Sequence, residues 1–322
     1  MCMAKTARAR ILGNIEQCER NGLLSAPEQE RNVRACRRRV ADGLLVEPLP
    51  GLFARKSYWS ELKPAVRPYQ LLRSLAHKHP SWLFCSYSAA CIHGLPVSLK
   101  LLDCIHLATG KDSHSGAHGY IVRHKLDHPQ TTRIAGASVT TLEQTVVDCL
   151  CQAPFPDGLA IADAATRMLN MNNAKLDELL RTRGRCRRGI VKARETARYA
   201  DARSESGGES IARALMISLG FAIPDLQVDI PDPTRPGKQF TVDYYWVLPD
   251  GRIIVGEFDG ADKYTLFSTN VTESVLRSMM RERQRESRLT LACDGVVRFS
   301  YPDLMNPEAF ARLLSSYGIS RR

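Results

Sequence analysis

In the last third of the chain the string TVDYYWV precedes a Pro249-Asp250-Gly251 turn, and RIIVGEFDG follows it. Their β-branched and aromatic content makes the two strings strands, and the turn pairs them as a hairpin. Side chains alternate along a strand, so Glu257 and Asp259 emerge on one face and Asp243, on the neighbouring strand, lies beside them. Three carboxylates held together repel unless a cation neutralises them or a proton is shared. Hard oxygens in that arrangement suit Mg2+ or Mn2+, and Asp243, Glu257 and Asp259 are the expected metal ligands. Such an ion polarises a phosphodiester and lowers the pKa of an attacking water, so no histidine is required. Lys263, four residues beyond Asp259, adds an ammonium that steers the nucleophile or stabilises charge on the reacting phosphate.

The elements that must position these residues are legible on either side. SESGGES is a small-residue, polar joint that puts a boundary near Ser204. After it Glu209 starts a helix with an apolar stripe of Ala212, Leu215, Met216 and Leu219, stopped by Gly220. A long helix is expected from about Thr272 to Leu289. Val275, Met279 and Leu289 set its apolar stripe, with Glu282 and Glu286 at the same spacing. Polar residues on a buried stripe need partners, whereas for Arg281 and Arg288 the reading is i, i+4 surface ion pairs.

At the other end of the chain the spacing predicts a helix near Thr6–Arg20. A short second helix opens at Ser25-Ala26-Pro27, and a third runs from about Arg34 to Asp42 and is stopped by Gly43. Val33, Cys36 and Val40 share one face of the third helix, and Arg34, Arg37 and Arg38 share the opposite one. LLVEP, the Leu49-Pro50-Gly51 turn and LFARK form a two-stranded wing. Three helices and a wing make a winged helix-turn-helix, in which Arg34, Arg37, Arg38 and Arg39 face DNA phosphates or guanine edges. An arginine run alone is most often a solvated face. Here residues 1–80 hold 15 basic and 7 acidic side chains, so most of the chain's +11 excess sits where the motif sits.

Between these ends the sequence predicts a mixed segment. SYSAACIHGLP is a helix closed by Gly94, CIHLATG and GYIVRHKL are strands, and TTLEQTVVDCLCQA is a helix capped by Thr140 or Thr141. His93 reads as a helix-terminal residue meeting the dipole, and Asp148 with Thr145 and Thr141 as packing and capping groups. All eight histidines fall between His77 and His128, so chemistry elsewhere must run without one nearby. Ten scattered cysteines without a CxxC pair read as reduced cytosolic thiols. Residues 181–203 form a second basic footprint, with nine basic side chains against Glu195 and Asp201. At 322 residues, 44% hydrophobic and 25% charged, the chain has the composition of a folded protein of two or three domains. It has no membrane-length apolar run and no signal-peptide core, so a cytoplasmic location without membrane insertion is expected.

Taken together, Asp243, Glu257-Phe258-Asp259-Gly260 with Lys263-Tyr264, the preceding Glu209, the run Arg281–Leu289 and Val296-Val297-Arg298-Phe299 resemble the PD-(D/E)XK restriction-endonuclease-like superfamily. The closer likeness is to its very-short-patch-repair-like branch, found in actinobacterial proteins. The resemblance covers about residues 205–310. It implies a mixed central sheet flanked by helices and a catalytic set of Asp243, Glu257, Asp259, Lys263, Glu209 and Arg285. Arg285 would hold a phosphate, and the nearby glutamates would orient Lys263 or Arg285. The superfamily's usual lysine two residues after the glutamate is Asp259 here, and Lys263 stands in for it. GLLVEPLPGLFAR, SAACIHGLP and TTLEQTVVD are similar to AbiEi-type antitoxins of type IV toxin-antitoxin systems over about residues 6–200, which implies promoter binding, a link to phage defence and a cognate toxin as partner.

The expected fold is therefore α+β and multidomain. It has a winged helix-turn-helix over 1–58, an AbiEi-like mixed α/β segment over 59–204 and a nuclease-like α/β/α domain with a central mixed sheet over 205–322. The expected function is metal-dependent hydrolysis of double-stranded DNA, and the alternative is an antitoxin-like regulator that keeps an inactive nuclease fold.

Overall fold

Ile11, Leu12 and Ile15 recur at helical spacing, and they form the inward face of α1 (Cys2–Arg20). In the computed structural model, which describes residues 2–110, 115–260, 280 and 283–321, that face packs on α2 (Glu30–Ala41) and on a hairpin of β1 (Leu45–Leu49) and β2 (Leu52–Arg55). Val33, Cys36 and Val40 are the inward residues of α2, as their spacing predicts, and they meet Leu45 and Phe53. Pro50 and Gly51 turn the hairpin, and Gly51 adopts φ +78, a backbone region open to glycine. Buried Glu19 ties α1 to the hairpin by accepting from the Arg55 amide at 2.7 Å and from Arg55 Nε at 2.6 Å.

The short helix expected from Ser25-Ala26-Pro27 is not formed. Ser25 instead exchanges both backbone hydrogen bonds with Phe53, at 2.9 and 2.8 Å, and becomes a bridge on the edge of the hairpin. A residue whose N–H and C=O both serve a strand cannot also cap a helix, so helical structure resumes only at Glu30, ahead of the expected start at Arg34.

The chain divides into two compact units, Met1–Cys149 and Leu150–Arg322. The residues expected as a middle segment, 59–204, contribute to both units. After the hairpin the first unit continues through α3 (Lys56–Glu61) and α4 (Val66–Lys78) into a six-stranded mixed sheet. Its strands are β3 (Leu83–Phe84), β4 (Ile105–Thr109), β5 (Gly116–His118), β6 (Ile121–Lys125), β7 (Thr131–Ile134) and β8 (Ala137–Thr140), in the order β5-β6-β4-β3-β8-β7. α5 (Ser86–His93) ends at Gly94 with φ +82, and His93 Nε2 lies 2.8 Å from the Thr140 carbonyl oxygen. Parallel pairing of β4 with β6 brings His106 Nδ1 within 2.8 Å of His124 Nε2, with Tyr87 edge-on to the His106 ring. α6 (Leu142–Gln152) begins with the Gln144 amide on Thr141 Oγ1, and Gln144 Nε2 donates to Asp148.

The second unit opens with α7 (Phe155–Met168), α8 (Asn173–Arg183) and α9 (Ile190–Ala197). α7 is rich in alanine, and its small buried residues let it pack closely on α10 (Gly207–Ser218). Between these helices Arg213 Nη2 bonds both oxygens of Asp163, at 2.8 and 2.9 Å, with side chains 4% and 0% exposed. A four-stranded sheet follows, from β9 (Asp225–Pro231), β10 (Gln239–Val247), β11 (Ile253–Asp259) and β12 (Gly295–Ser300) in the order β12-β11-β10-β9. β9, β10 and β11 are antiparallel neighbours, whereas β12 runs parallel to β11. Tyr244, Trp246, Ile254 and Phe299 pack with α10, α12 (Tyr301–Leu304) and α13 (Pro307–Ser316). Phe240, Val242 and Val255 form a second cluster around Leu289 of α11 (283–289). The protein is thus a mixed α+β chain with several sheets, and no helix among the described residues is long and apolar enough to cross a membrane.

Candidate active site

Pairing of β10 with β11 runs from Val247 opposite Ile253 to Tyr244 opposite Gly256, which makes Asp243 and Glu257 the next facing positions. The Phe258 amide there donates to Asp243 Oδ2 at 2.8 Å, so a carboxylate takes the place of a strand carbonyl at the end of the ladder. On the other side of β10, pairing with β9 skips one position. Gln227, opposite Asp243, adopts φ +52, an uncommon conformation for a residue with a side chain. Its amide nitrogen stands 3.3 Å from both Asp243 Oδ1 and Glu209 Oε2.

Glu209 reaches this point from the first turn of α10. Ser206 caps that helix by accepting from the Glu209 amide at 3.2 Å, and Glu209 Oε2 in turn accepts from the Glu205 amide at 2.9 Å. Ser204 is buried and shares a 2.9 Å contact with Ser210, and Arg167 of α7 donates to the Ser204 carbonyl. The segment expected as a polar joint is therefore a fixed helix cap. Gly208 is required there, because a Cβ would stand 2.2 Å from the Phe258 ring. Burial raises the Glu209 carboxyl above its ordinary pKa, and the Asp243 charge adds to the rise against the opposing Ser206 and Glu205 hydrogen bonds.

Glu257 and Asp259 point instead to guanidinium groups. Arg285 of α11 donates to Glu257 Oε1, and through Nη2 to the Thr241 carbonyl at 2.8 Å. Arg298 lies opposite Glu257 in the β11–β12 register and grips Asp259 with two bonds, at 2.7 and 3.1 Å. A third approach brings Arg298 Nη1 to 3.7 Å from Glu257 Oε2, and Glu286 Oε2 lies 3.6 Å from the same nitrogen. Arg288, expected in an i, i+4 surface pair, reaches across to buried Asp232 at 2.6 Å. The residue supplying its counter-charge is 56 positions away, so helical spacing gave no sign of the pair.

The structure thus brings Asp243 together with Glu209 through Gln227, and Glu257 with Asp259 through Arg298. Among the described residues no group of three or more histidine, cysteine or acidic side chains is placed to hold a metal ion. Mg2+ is commonly held by one or two carboxylates together with water and substrate phosphate, and Asp243 with Glu257 offers that donor chemistry. Lys263, Arg281 and Glu282 lie outside the described residues.

No family model matches the chain. It is similar to two proteins of Mycobacterium tuberculosis, uncharacterized protein MT2308 of strain CDC 1551 / Oshkosh and uncharacterized protein Rv2248 of strain ATCC 25618 / H37Rv. Each is 37% identical over 121 residues, which are 38% of this chain and 43% of the relative. The chain therefore spans less than half the length of these relatives.

In the first unit, the four arginines expected at DNA differ in their engagement. Arg38 is exposed and has no partner among the described residues, and Arg34 is in an exposed pair with Glu30 at 3.1 Å. Arg37 is held by Glu47 of β1 at 3.2 Å, and Arg39 folds back to the Ala35 carbonyl at 2.6 Å. Sequence reasoning assigned no role to Gln227, and it met Arg298 only within a family string. The signal for Arg298 was an arginine flanked by apolar residues in a strand, VVRFS, which calls for an acid on the neighbouring strand.

Proposed function

We propose that this chain binds double-stranded DNA and that its second unit hydrolyses phosphodiesters with Mg2+ or Mn2+. The observation that carries the reading is that Asp243 and Glu257 stand one position beyond the last β10–β11 pair, Tyr244 with Gly256, with the guanidinium groups of Arg285 and Arg298 attached to the acids of the same strand end. Support for a restriction-endonuclease-like core comes from the element order: α10, the antiparallel strands β9, β10 and β11, α11, then β12 parallel to β11. Support for a DNA-reading element comes from α2 and its wing, with Arg34, Arg37 and Arg38 on the solvent side.

Asp243 and Glu257 would hold the ion, which when bound would polarise the phosphate and activate water. Arg285 and Arg298 present planar forks that match phosphate oxygens and can pass from carboxylate to phosphate when DNA arrives. Gln227 fixes Asp243 and Glu209 relative to each other. Glu209, whose carboxyl retains a proton to higher pH than an ordinary glutamate, limits the negative charge beside Asp243. Lys263 remains the proposed ammonium at the reacting phosphate, and Asp259 holds Arg298 in place.

One observation favours a second reading, an antitoxin-like regulator in which the nuclease fold only binds. Glu257 and Asp259 already have arginine partners, as they would in a site that has given up metal. Incubating plasmid and oligonucleotide DNA with either metal, wild type beside Asp243→Ala, separates the two. Hydrolysis requires cleavage by the wild type and its loss in the variant; no cleavage by either protein supports the regulator.

A further inference from the structure

The loop between α8 and α9 carries charge outside the candidate active site. Gly184 and Gly189 bracket it, and neither tolerates a side chain: a Cβ on Gly184 would lie 2.4 Å from Ile190 Cδ1, and one on Gly189, where φ is +88, would lie 2.0 Å from the Cys151 carbonyl oxygen. The backbone is pinned by these approaches, and Arg183 and Arg187 are partly covered and engaged. Arg185, Arg188, Lys192 and Arg198 are exposed, and no acid partners their side chains among the described residues. The exposed acid on α9 is Glu195. Three nearby arginines are neutralised: Arg181 and Arg194 share Asp177, and Arg203 holds Asp201. Four unneutralised cations on a fixed loop and one short helix repel each other, a cost relieved when a polyanion lies across them.

We propose that the α8–α9 surface is a second DNA-backbone contact, carried by the same unit as the candidate active site and separate from the arginine face of α2. Helix α9 is about 12 Å long, and each DNA strand carries a phosphate every ~3.4 Å of helix axis, so cations at its two ends reach more than one phosphate. Three of the four are arginines, whose forks suit phosphate oxygens. Val191, 69% exposed, and Tyr199, 38% exposed, are the large apolar side chains among them, too little for the apolar centre of a protein–protein interface. The inference rests on the reading that the chain binds DNA.

The test uses the full chain and a 30-base-pair duplex in calcium, with affinity read against salt for wild type and for Arg185→Ser/Arg188→Ser/Lys192→Ser/Arg198→Ser. Each lost phosphate contact removes about 0.9 from the slope of log affinity against log salt, so the quadruple variant loses up to about 3.6. The matching lysine variant at the three arginines keeps its charge and most of the slope. A quadruple variant with wild-type affinity and slope overturns the α8–α9 contact and leaves DNA binding by α2 standing. Wild type that binds no duplex at any salt overturns both. Wild type that binds polyglutamate in place of duplex, and loses it in the quadruple variant, also overturns the inference, in favour of an acidic protein partner.

Discussion

Asp243 has two jobs in this structure, closing the end of the β10–β11 ladder through the Phe258 amide and presenting its other oxygen to Gln227. Asp243→Asn keeps an acceptor for Phe258 and removes the charge. Millimolar Mn2+ should therefore raise the Tm of the wild type by several degrees, about 2.7 kcal/mol at a hundredfold excess over Kd, and leave Asp243→Asn unmoved in the same calorimetric scan. A wild-type melt indifferent to both metals would sink the metal reading. The shared side of Glu257 and Asp259, both within reach of Arg298, was legible because strand alternation acts over two residues. The partners of the site's acids were not, because Arg298 and Gln227 arrive from strands whose register is set by the whole sheet. The histidines show the same contrast. Clustering in the sequence was plain, but only the parallel pairing of β4 with β6 puts His106 against His124. Burial, with His124 adding to it, pushes the His106 pKa from 6.5 down to about 4. Between those values the unfolded chain binds more protons than the folded one, so stability falls as pH drops from about 6.5 to about 4, by at most about 3 kcal/mol. Urea unfolding of wild type and His106→Asn at pH 7 and pH 4.5 should show a smaller acid loss in the variant.

Helix α10 delivers Glu209, and two contacts fix where that helix lies. Gly208→Ala drives a methyl group into the Phe258 ring and should cost about 1–3 kcal/mol in denaturant unfolding, the usual penalty for overpacking. Asp163→Ala removes the carboxylate and leaves the Arg213 guanidinium buried without a counter-charge, which should cost about 3–5 kcal/mol; Asp163→Leu with Arg213→Met should recover much of it. Equal losses in the single and double variants would show that packing, not charge, holds α7 to α10. The apolar stripe of α10 was readable from its period. Arg213 was not, because an arginine between alanines has the same spacing whether it faces water or a buried aspartate on a helix 50 residues earlier. At SESGGES the helix cap was hard to read for a related reason: linkers and helix caps draw on the same small polar residues, and the buried Ser204 and Ser210 that tell them apart are visible only once α7 is in place. At Ser25-Ala26-Pro27 the local helix-start signal was sound, and the bridge to Phe53 overrode it.

Across the whole chain the +11 charge predicts binding that weakens with salt. Arg37→Ala/Arg38→Ala should lower the salt slope for duplex DNA by about 0.9 per lost contact. An unchanged slope in that titration would mark the α2 face as solvated surface and place the affinity elsewhere. The mixed α+β class was legible in the alternation of helix-period and strand-period segments along the chain, and the sheets bear it out. The buried Asp163–Arg213 pair carries a consequence for how such a protein can be inherited. A gene rearrangement that transplanted only residues 205–322 onto another partner would deliver Arg213 without the carboxylate that neutralises it, together with a helix start deprived of the Arg167 bond to Ser204. Sequences that travel as one heritable block should therefore begin near residue 150, and chimaeras cut there should refold where those cut at 205 precipitate.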